Sequence, residues 1–504
     1  MISFFTALLF FIGFAFYICT IYNNLHMRQS IYLLLILVLF SFSFYSCEEK
    51  NDNKEKGTDN LVSDFLGVEG CGKNTTGGRG GFVYHVTNLD DNVNNPLPGS
   101  LRYVLNQPGA KNVVFDVSGV IELQSPLSIP SNTTLYGQSA PGDGICISGE
   151  KLGIGLNNPH IDDHLMNISG DNVIVQFLRF RMNNTLYDLD CFNCIGRNNV
   201  IIDHCSFSWS TDECVTCYGN TNFTMQWCMI YEGLNTDLKG NHGFGGIWGG
   251  SNASFHHNLI ANQSNRCPRF DHDYVNILKG PVDFVNNVIY IVNSANGTYG
   301  GESCNTTGTQ RNINMVNNYY KYSSSAGSAK GRILNPSTSC SYCTKAMGCS
   351  TIVPGKFYIA GNYVDGYEDK TSDNWSAVSP VSDIMKSLAP FAMSQEVSKQ
   401  TAQDAYASVL AKAGASFARD AADERVISQV VNNTGTTVSG NSDIVFPTYN
   451  SGSKKTDSDN DGIPDEWEDA NGIDKNRMLD GNTISPSGRT YLEEYMYSLV
   501  KDLY

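Results

Sequence analysis

The sequence predicts an all-β protein, a right-handed parallel β-helix (solenoid) with a C-terminal helical tail. Short apolar runs recur in the middle of the chain, and the first four begin at Asn172, Asn199, Asn222 and Asn252, which are 27, 23 and 30 residues apart. Each run has the length of a strand, and none has the period of a helix. The gaps between the runs are too long and uneven for hairpin loops. Stacked coils that share one core explain both the repeat and the gaps.

A second repeated position supports stacked coils. Four asparagines hold equivalent places in later runs: Asn258, Asn287, Asn318 and Asn362. If they stack at a turn, their amides can hydrogen-bond along the solenoid, as amides do in ladders of stacked strands. Two earlier runs have Cys205 and Cys228 at this place, and we expect these to stack as small apolar residues.

The composition agrees with turn-rich β structure. The chain has 504 residues, a formal net charge of −16, 17% charged residues and 47 glycines, a mixture more typical of β structure than of helical bundles. The acidic balance argues against nucleic acid as a partner, because nucleic-acid binding needs a basic face. An acidic polymer remains a possible partner if cations bridge the two.

The residues before the solenoid are typical of an exported protein. Residues 1–47 predict a signal or lipoprotein leader, in which Arg28 precedes an apolar run that ends at Ser46 and Cys47, with Met27 as a second possible start. The run resembles a bacterial lipobox, which makes Cys47 the lipidated residue. Residues 48–66 predict a flexible tether. We expect an outer-membrane or cell-surface lipoprotein, or a secreted protein, that meets a membrane only through the lipid; an uncleaved anchor is the alternative.

The rest of the chain divides into three predicted parts. Residues 67–385 form the solenoid, residues 386–450 form a helical tail that packs on it, and residues 451–504 form an EF-hand-like calcium-binding segment. Within the tail, Ser394 is predicted to open one amphipathic helix, and "RDAADERVISQVV" predicts another. We expect a monomer.

The fifteen cysteines suggest two uses. Export permits disulfides, and three cysteines in an insertion are expected to pair with one another or with Cys304: Cys340, Cys343 and Cys349. The pairs Cys191-x-x-Cys194 and Cys214-x-x-Cys217 have zinc-ribbon spacing. They flank a strand, however, so stacked neighbours, bridged or free, are favoured over a zinc site.

Several separated motifs occur in an order that identifies a family. The segments "DLDCFNCIGRNNVIIDHCSFSWSTDE", "HGFGGIWGG", "FHHN" and "RCPRF" are flanked by "SLRYVL" and "TSDNW". In order and spacing they resemble pectate lyases of polysaccharide lyase family 1, from about Gly81 to about Phe446. The resemblance implies Ca²⁺-dependent β-elimination on polygalacturonate (pectin), which gives 4,5-unsaturated oligogalacturonates.

The resemblance also implies roles for two arginines. Arg266 matches the family's catalytic base, which removes the C5 proton of the uronate, and Pro268 is expected to fix the turn that orients it. A free guanidinium has a pKa above about 12, so a base role needs nearby cations and predicts an alkaline optimum. Arg269 is expected to bind a substrate carboxylate, because a planar guanidinium can donate two parallel hydrogen bonds to one carboxylate.

The predicted Ca²⁺ site contains one departure from the family. Asp188, Asp190 and Asp212 match three of the family's ligands, and stacking should bring Asp212 alongside the first two at about 4.8 Å per coil. The fourth family carboxylate falls on Thr216, and the neighbouring Glu213 is the expected substitute.

A second departure concerns substrate binding. The position of the family's substrate-binding lysine is occupied by Phe244, and Lys239 and His242 are the expected replacements. Trp248 is either a sugar platform or a buried residue.

Three histidines near the motifs are expected to be structural. His204 should hydrogen-bond within the stack beside Asp203. His256 and His257 alternate along a strand, so one should face inwards and the other outwards.

The C-terminal segment has a complete EF-hand pattern, D-x-D-x-D-G-x5-E. Its predicted calcium ligands are Asp457, Asp459, Asp461, Asp465 and Glu468, and Gly462 occupies the turn position. The expected role is structural, to hold the final helix around "TYLEEYMYSLV". A solvated acidic linker is the alternative.

Three other functions remain open from the sequence. A lyase for methyl-esterified pectin would need little metal, and Thr216 and the missing lysine favour it, whereas the retained aspartates oppose it. A hydrolase would use paired carboxylates but would leave Arg266 without a role. A surface glycan-binding protein with a decayed site would bind carbohydrate without turnover.

Overall fold

The computed structural model describes residues 64–504 except 155, 157–160, 162, 236–241, 272–279, 295, 305–308, 341–350, 441–442 and 479. The predicted leader and most of the tether, together with Cys47, Lys239, Cys343 and Cys349, lie outside the described residues, so their roles stay predictions. None of the helices among the described residues combines the length and the apolar character that crossing a lipid bilayer requires.

Among the described residues, 27 short strands lie between Phe82 and Val364. In chain order they are β1 (Phe82–Val86), β2 (Lys111–Phe115), β3 (Gly119–Glu122), β4 (Leu127–Ile129), β5 (Thr133–Tyr136), β6 (Ile145–Ser148), β7 (His164–Ile168), β8 (Val173–Gln176), β9 (Arg179–Arg181), β10 (Asp190–Ile195), β11 (Asn198–Asp203), β12 (Ser206–Ser208), β13 (Val215–Gln226) and β14 (Met229–Tyr231). They continue with β15 (Ile247–His256), β16 (Leu259–Ala261), β17 (Arg269–Phe270), β18 (Val282–Val285), β19 (Val288–Ile291), β20 (Tyr299–Gly300), β21 (Ser303–Cys304), β22 (Asn312–Val316), β23 (Tyr319–Tyr322), β24 (Asn335–Pro336), β25 (Ile352–Val353), β26 (Lys356–Ala360) and β27 (Tyr363–Val364).

Helices lie mainly after the last strand. They are α1 (Leu101–Leu105), α2 (Glu368–Ser372), α3 (Ala402–Lys412), α4 (Ala421–Asn432), α5 (Asp465–Asn471) and α6 (Tyr491–Ser498). The prediction that Ser394 opens the first tail helix is wrong, because α3 begins after Thr401, whose hydroxyl accepts from the backbone N–H of Asp404. Backbone N–H groups in the first turn of a helix have no carbonyl acceptor within the helix, and the hydroxyl of the N-cap residue accepts from one of them.

The strands stack in parallel and confirm the predicted β-helix. Among the described residues, sixteen strands form one sheet and nine form a second, and every pair in both is parallel. Only the short pair β21–β25 is antiparallel. One apolar cluster fills the interior between the sheets, with Val200, Phe223, Phe255, Phe284 and Met315 from successive coils. Stacking therefore buries a face that one coil could not bury alone.

The corners of the coils require left-handed backbone, and this explains the asparagines that begin the runs. Asn172, Asn199, Asn222 and Asn252 have φ values of 60°, 56°, 53° and 49°. Asparagine tolerates this region better than most residues with a side chain. A second corner repeats the same conformation with aromatic rings, which stack on one another along the solenoid: Phe177, His204, Trp227 and His257.

The predicted asparagine ladder is confirmed. The side-chain oxygen of Asn318 accepts from the backbone N–H and the amide of Asn287 at 2.9 and 3.0 Å, and Asn318 donates in the same way to Asn362. The ladder continues to Asn374. Each amide also donates to a backbone carbonyl, such as that of Phe284 at 2.9 Å. The ladder satisfies polar groups that would otherwise be buried without partners.

Histidines at the second corner are both buried, which corrects one prediction. His256 and His257 are 1% and 4% exposed, so neither is open to solvent. The corner between them breaks the strand alternation, since His257 has a φ of 55°. His204, as predicted, hydrogen-bonds to Asp203, at 2.6 Å.

The tail covers the outer face of the second sheet. Val409 of α3 and Val426 and Val430 of α4 pack against residues such as Tyr231 and Tyr290. Beneath α4 lies a buried ionic contact, in which Arg181 meets Asp420 and Asp423 at 2.7 and 3.1 Å. Although burial opposes ionisation, Arg181 and Arg179 lower the pKa of Asp420. A buried guanidinium needs such partners, so α4 is fixed at this place.

The final helix covers the outer face of the first sheet. Leu492, Tyr495 and Met496 of α6 pack with Val114 and Ile174 of the sheet, and Ile463 of the acidic loop joins the same cluster. Thr490 and Glu493 form a capping box at the start of α6, and Arg79 contacts Glu493 at 2.8 Å. The C-terminal segment is thus attached to the first coils.

Replacement of Asn318 by alanine should destabilise the solenoid. The change leaves the buried N–H groups of Asn287 without an acceptor, and each such group costs about 1–3 kcal/mol. We expect Asn318→Ala to lower the free energy of unfolding in urea by about 2–4 kcal/mol. Asn95→Ala, at an exposed asparagine, is the matched control and should change stability little; equal stabilities of the two variants would contradict the role of the ladder.

Acid should destabilise the fold through the buried histidines. Burial lowers the pKa of His256 to about 4, and burial and then His256 lower that of His257 to about 3. The unfolded chain binds these protons near the ordinary histidine pKa of about 6.5, so stability falls as the pH falls from there. Between pH 7 and pH 5 the wild type should lose about 2 kcal/mol more than His257→Gln, measured by urea unfolding; parallel pH profiles would refute this.

Candidate functional site

The candidate site lies where four successive strands of the first sheet begin. Asp190 is the first residue of β10, and Phe192 pairs with Val215, which sets Glu213 opposite Asp190. Glu213 forms a parallel backbone β-bridge with Phe244, and Phe244 forms another with Asn265. Residues far apart in the sequence are therefore neighbours on adjacent coils, one strand spacing apart.

Carboxylates from two coils converge at this place. Asp190, Asp212 and Glu213 offer oxygen atoms that all lie within 4.8 Å of one another. Asp188 and Asp212 form a second group with His242, within the same distance. The backbone N–H of Glu213 donates to Asp190 at 3.1 Å. Hard oxygen donors at this spacing suit a divalent cation, so acidic groups that could bind a metal ion are present.

Acidic side chains are crowded around Asp190. Burial and the neighbouring Asp212 raise the pKa of Asp190 well above its ordinary value, while the hydroxyl of Thr216 and the charge of Arg266 oppose that rise. Two carboxylates this close repel each other unless a cation or a proton lies between them. The donor set therefore fits a metal ion.

Arg266 reaches into the same cluster. Its guanidinium contacts the carboxylate of Glu213 and lies 4.1 Å from the ring centroid of Phe244. The backbone of Arg266 is left-handed, with a φ of 54°. About a fifth of its side chain, 22%, remains exposed, so the group is open to a ligand. Asp190 and Arg266 are thus brought together as the sequence predicted.

Arg269 is held from the next coil. Its guanidinium contacts Glu302 and lies 5.1 Å from the ring centroid of Tyr299. Burial lowers the pKa of Arg269, but Glu302 and Tyr299 outweigh it and raise that pKa overall. Tyr299 pairs with Arg269 in the sheet. Sequence reasoning missed Glu302 and Tyr299, since only the stacking of coils relates them to Arg269.

The replacements predicted for the family's lysine have different outcomes. Lys239 lies in a stretch that the structure does not describe. His242 lies beside carboxylates, with Nδ1 3.4 Å from Oδ1 of both Asp188 and Asp212. Its ring stacks on Phe244, with centroids 4.6 Å apart. Phe244 is therefore a shared support for His242 and Arg266, a role that the sequence did not reveal.

Trp248 and the cysteine pairs belong to the core. Trp248 is fully buried and its indole N–H donates to the carbonyl of Val215 at 3.0 Å, so it is not a sugar platform. Cys194 pairs in register with Cys217, and these cysteines, with Cys191 and Cys214, are free and buried. They stack as neighbours without bridging. Cys304 and Cys340 are disulfide-bonded.

Curated relatives match nearly the whole chain. Probable pectate lyase C of Aspergillus flavus is 32% identical over 457 residues, 87% of this chain and 94% of the relative. Probable pectate lyase C of Aspergillus fumigatus is 33% identical over 458 residues, with the same coverage. The chain belongs to the pectate lyase family. Pectate lyases are polysaccharide lyases, so the protein is an enzyme of that type.

Other relatives and solved structures are less similar to the chain. Pectate lyase 1 of Juniperus ashei is 28% identical over 204 residues, 38% of this chain and 55% of the relative. The solved structure of the cedar pollen allergen jun a 1 is 19% identical and covers 74% of this chain and 93% of its own, with a TM-score of 0.45. A pectate lyase of Bacillus sp. N165 in complex with trigalacturonate is 16% identical, with coverages of 69% and 98% and a TM-score of 0.41. No family model matches the chain.

A second acidic group lies in the C-terminal segment of this pectate lyase. Asp457, Asp459 and Asp461 offer oxygens within 4.8 Å of one another, and Gly462 turns the loop with a φ of 90°. Burial raises the pKa of Asp461 to about 7, with help from Asp459 and Asp457 and against the backbone N–H of Ile463. These donors also fit a hard cation.

The last two predicted ligands of that segment lie on helix α5. Asp465 accepts from the N–H and hydroxyl of Ser458, both at 2.8 Å. Glu468 is fully buried. The described loop therefore gathers the three alternating aspartates, while Asp465 is bonded to Ser458.

Proposed function

We propose that the protein cleaves polygalacturonate by β-elimination with Ca²⁺ held by Asp188, Asp190 and Asp212. The observation that carries the proposal is the convergence of carboxylates with an arginine, since Glu213 lies in the group with Asp190 and Asp212 and also contacts Arg266. The relatives named pectate lyase support the same reaction class. The expected products are 4,5-unsaturated oligogalacturonates.

The reaction removes the proton at C5 of the uronate and expels the glycosidic oxygen at C4. That proton is weakly acidic while the adjacent carboxylate is anionic. When bound, the cation supplies neutralisation of this carboxylate, which favours the negative charge that develops in the transition state. The side chains that hold the cation lie beside Arg266, so charge neutralisation and proton removal act on one sugar residue.

Arg266 is the proposed base. Its guanidinium rests on Phe244 and contacts Glu213, which fixes it near the carboxylates. A neighbouring carboxylate favours the charged form of a guanidinium, and a base must lose its proton. Glu213 also belongs to the carboxylate group, so a cation bound there competes with Arg266 for the same carboxylate. Binding of the cation and activation of the base are thereby coupled.

Arg269 is proposed to orient the substrate carboxylate. Glu302 and Tyr299 fix its guanidinium from the next coil, and a guanidinium binds a carboxylate with two parallel hydrogen bonds. Lys239 remains a proposed contact to the same polymer.

Methyl-esterified pectin is a second candidate substrate. Thr216 stands where a fourth carboxylate is expected, and the nearby Phe244 is apolar. An esterified carboxyl is already neutral and needs less positive charge. The cluster around Asp190 and Asp212 has no evident use on such a substrate, so polygalacturonate is favoured.

Replacement of Arg266 should abolish proton removal. We expect Arg266→Lys and Arg266→Ala to lower kcat on polygalacturonate with Ca²⁺ by about 10²–10⁴-fold, measured from the absorbance of the unsaturated product. Arg477→Ala, at an exposed arginine, is the matched control and should retain wild-type activity.

Three outcomes of the same assay would contradict the proposal. New reducing ends without unsaturated product would indicate hydrolysis. Faster turnover of esterified pectin that a chelator does not inhibit would favour the second candidate. Binding of polymer without turnover by the wild type would indicate a decayed site.

We also propose a structural Ca²⁺ at Asp457, Asp459 and Asp461. The loop adjoins the cluster that attaches α6 to the first sheet, because Ile463 is part of that cluster. His85 of β1 contacts the carbonyl of Asn460 at 3.3 Å, and Asn482 donates to the carbonyl of Gly81 at 2.8 Å. A cation that orders the loop would therefore stabilise the contact between the C-terminal segment and the first coils.

Loss of one ligand should remove this stabilisation. A ligand at 100 times its Kd stabilises a folded protein by about 2.7 kcal/mol. We expect Ca²⁺ to raise the Tm of the wild type and of Asp469→Asn, an exposed carboxylate outside the group, by similar amounts. The rise should be clearly smaller in Asp461→Asn, and an equal rise in all three proteins would refute the site.

A further inference from the structure

His242 lies among carboxylates, at a place where the sequence predicted a contact to the sugar. Its Nδ1 atom is 3.4 Å from Oδ1 of Asp188 and 3.4 Å from Oδ1 of Asp212. The three residues precede successive strands β10, β13 and β15. The stacking of coils therefore adds one nitrogen to a group of oxygens.

The distances suit shared coordination better than a hydrogen bond. The donor and acceptor atoms of an N–H···O hydrogen bond are about 2.7–3.2 Å apart, and the N–H bond is directed at one acceptor. The Nδ1 atom of His242 is instead equally far from two oxygens. If two ligand atoms are bound at right angles to one ion, each by a bond of about 2.3–2.6 Å, the two atoms lie about 3.2–3.7 Å from each other. The spacing found at His242 falls in that interval.

The imidazole is oriented before any ion binds. Its ring stacks on Phe244 with an interplanar angle of 27°. Phe244 is itself held by its bridges to Glu213 and Asn265 and by the guanidinium of Arg266. A ring packed on one face presents its edge, and therefore Nδ1, to the two carboxylates. Supports of this kind fix the orientation of metal-binding histidines.

We propose that His242 is a nitrogen ligand of the divalent cation held by Asp188 and Asp212, which makes this a mixed nitrogen and oxygen site. The inference rests on the proposed function, since it concerns the same cation. Calcium prefers oxygen ligands alone, whereas imidazole suits first-row transition ions. Carboxylates suit Ca²⁺ and Mn²⁺ alike, so we expect the site to accept both ions.

The test measures nitrogen coordination directly. Full-length protein is loaded with Mn²⁺, and the electron spin echo modulation from a bound ¹⁴N nucleus is recorded. The wild type should show this modulation and His242→Gln should not. His85→Gln is the matched control, because His85 lies beside the other acidic group, 3.9 Å from Asp457, and this variant should keep the signal.

Calorimetric titrations give the second readout. His242→Gln should bind Mn²⁺ at this site at least about 10-fold more weakly, while its affinity for Ca²⁺ should change less, because the oxygen ligands remain. Mn²⁺ bound without nitrogen modulation, or with unchanged affinity in His242→Gln, would overturn the inference and leave His242 as an ion-pair partner of the two aspartates.

One further variant separates this inference from the proposed function. Asp212→Asn removes a carboxylate common to both groups and should lower the number of bound Ca²⁺ ions by one. Unchanged Ca²⁺ stoichiometry in Asp212→Asn would overturn the proposed cation site, and the inference with it. Loss of that ion in Asp212→Asn, together with nitrogen modulation retained in His242→Gln, would overturn the inference alone.

Discussion

The parallel register between coils is the constraint on which the rest of the structure depends. Each coil turns its corners through left-handed residues, and the asparagine ladder joins one coil to the next through buried amides. A shift of one residue in any pair would turn core side chains outwards. It would also separate Asp190 from Glu213 and Glu213 from Phe244. The ladder and the site are therefore two consequences of one register.

The same register concentrates negative charge. Asp188, Asp190, Asp212 and Glu213 come from two coils, and burial makes their repulsion stronger than it would be in water. Within the described residues, the guanidinium of Arg266 counters this charge at the site. Elsewhere, buried arginines have carboxylates from the tail, as Arg181 has in Asp420 and Asp423.

The C-terminal parts are attached to the outer faces of the two sheets by apolar packing and by a buried ionic contact. Helices α3 and α4 cover the second sheet, and α6 covers the first. Both sheets present apolar side chains outwards, and these helices cover them. The acidic loop around Asp461 precedes α5 and α6 in the chain and contacts β1 through His85. A cation there would act on attachment and not on catalysis.

Local patterns were enough for much of the fold. The strand runs, the ladder of Asn258, Asn287, Asn318 and Asn362, and the structural role of His204 follow from spacing and residue type, and the structure agrees. The predicted alternation of side chains failed where a corner interrupts the strand, as at His257. The predicted helix start failed at Ser394, because Thr401 caps the helix instead. In both cases a local backbone choice depends on packing that a periodic pattern does not encode.

The sequence by itself determined the repeating coil, the family motifs and the identities of the acidic and basic residues, because these are properties of short segments. Only the tertiary structure decided which of those residues meet. It joined Glu213 to Arg266, Glu302 to Arg269, and His242 to Asp188 and Asp212. These contacts join residues on different coils. Because the loops between strands vary in length, the sequence separation of two residues does not predict whether they are in contact. The physical reason is that register is fixed by the sum of core packing and amide pairing over many coils.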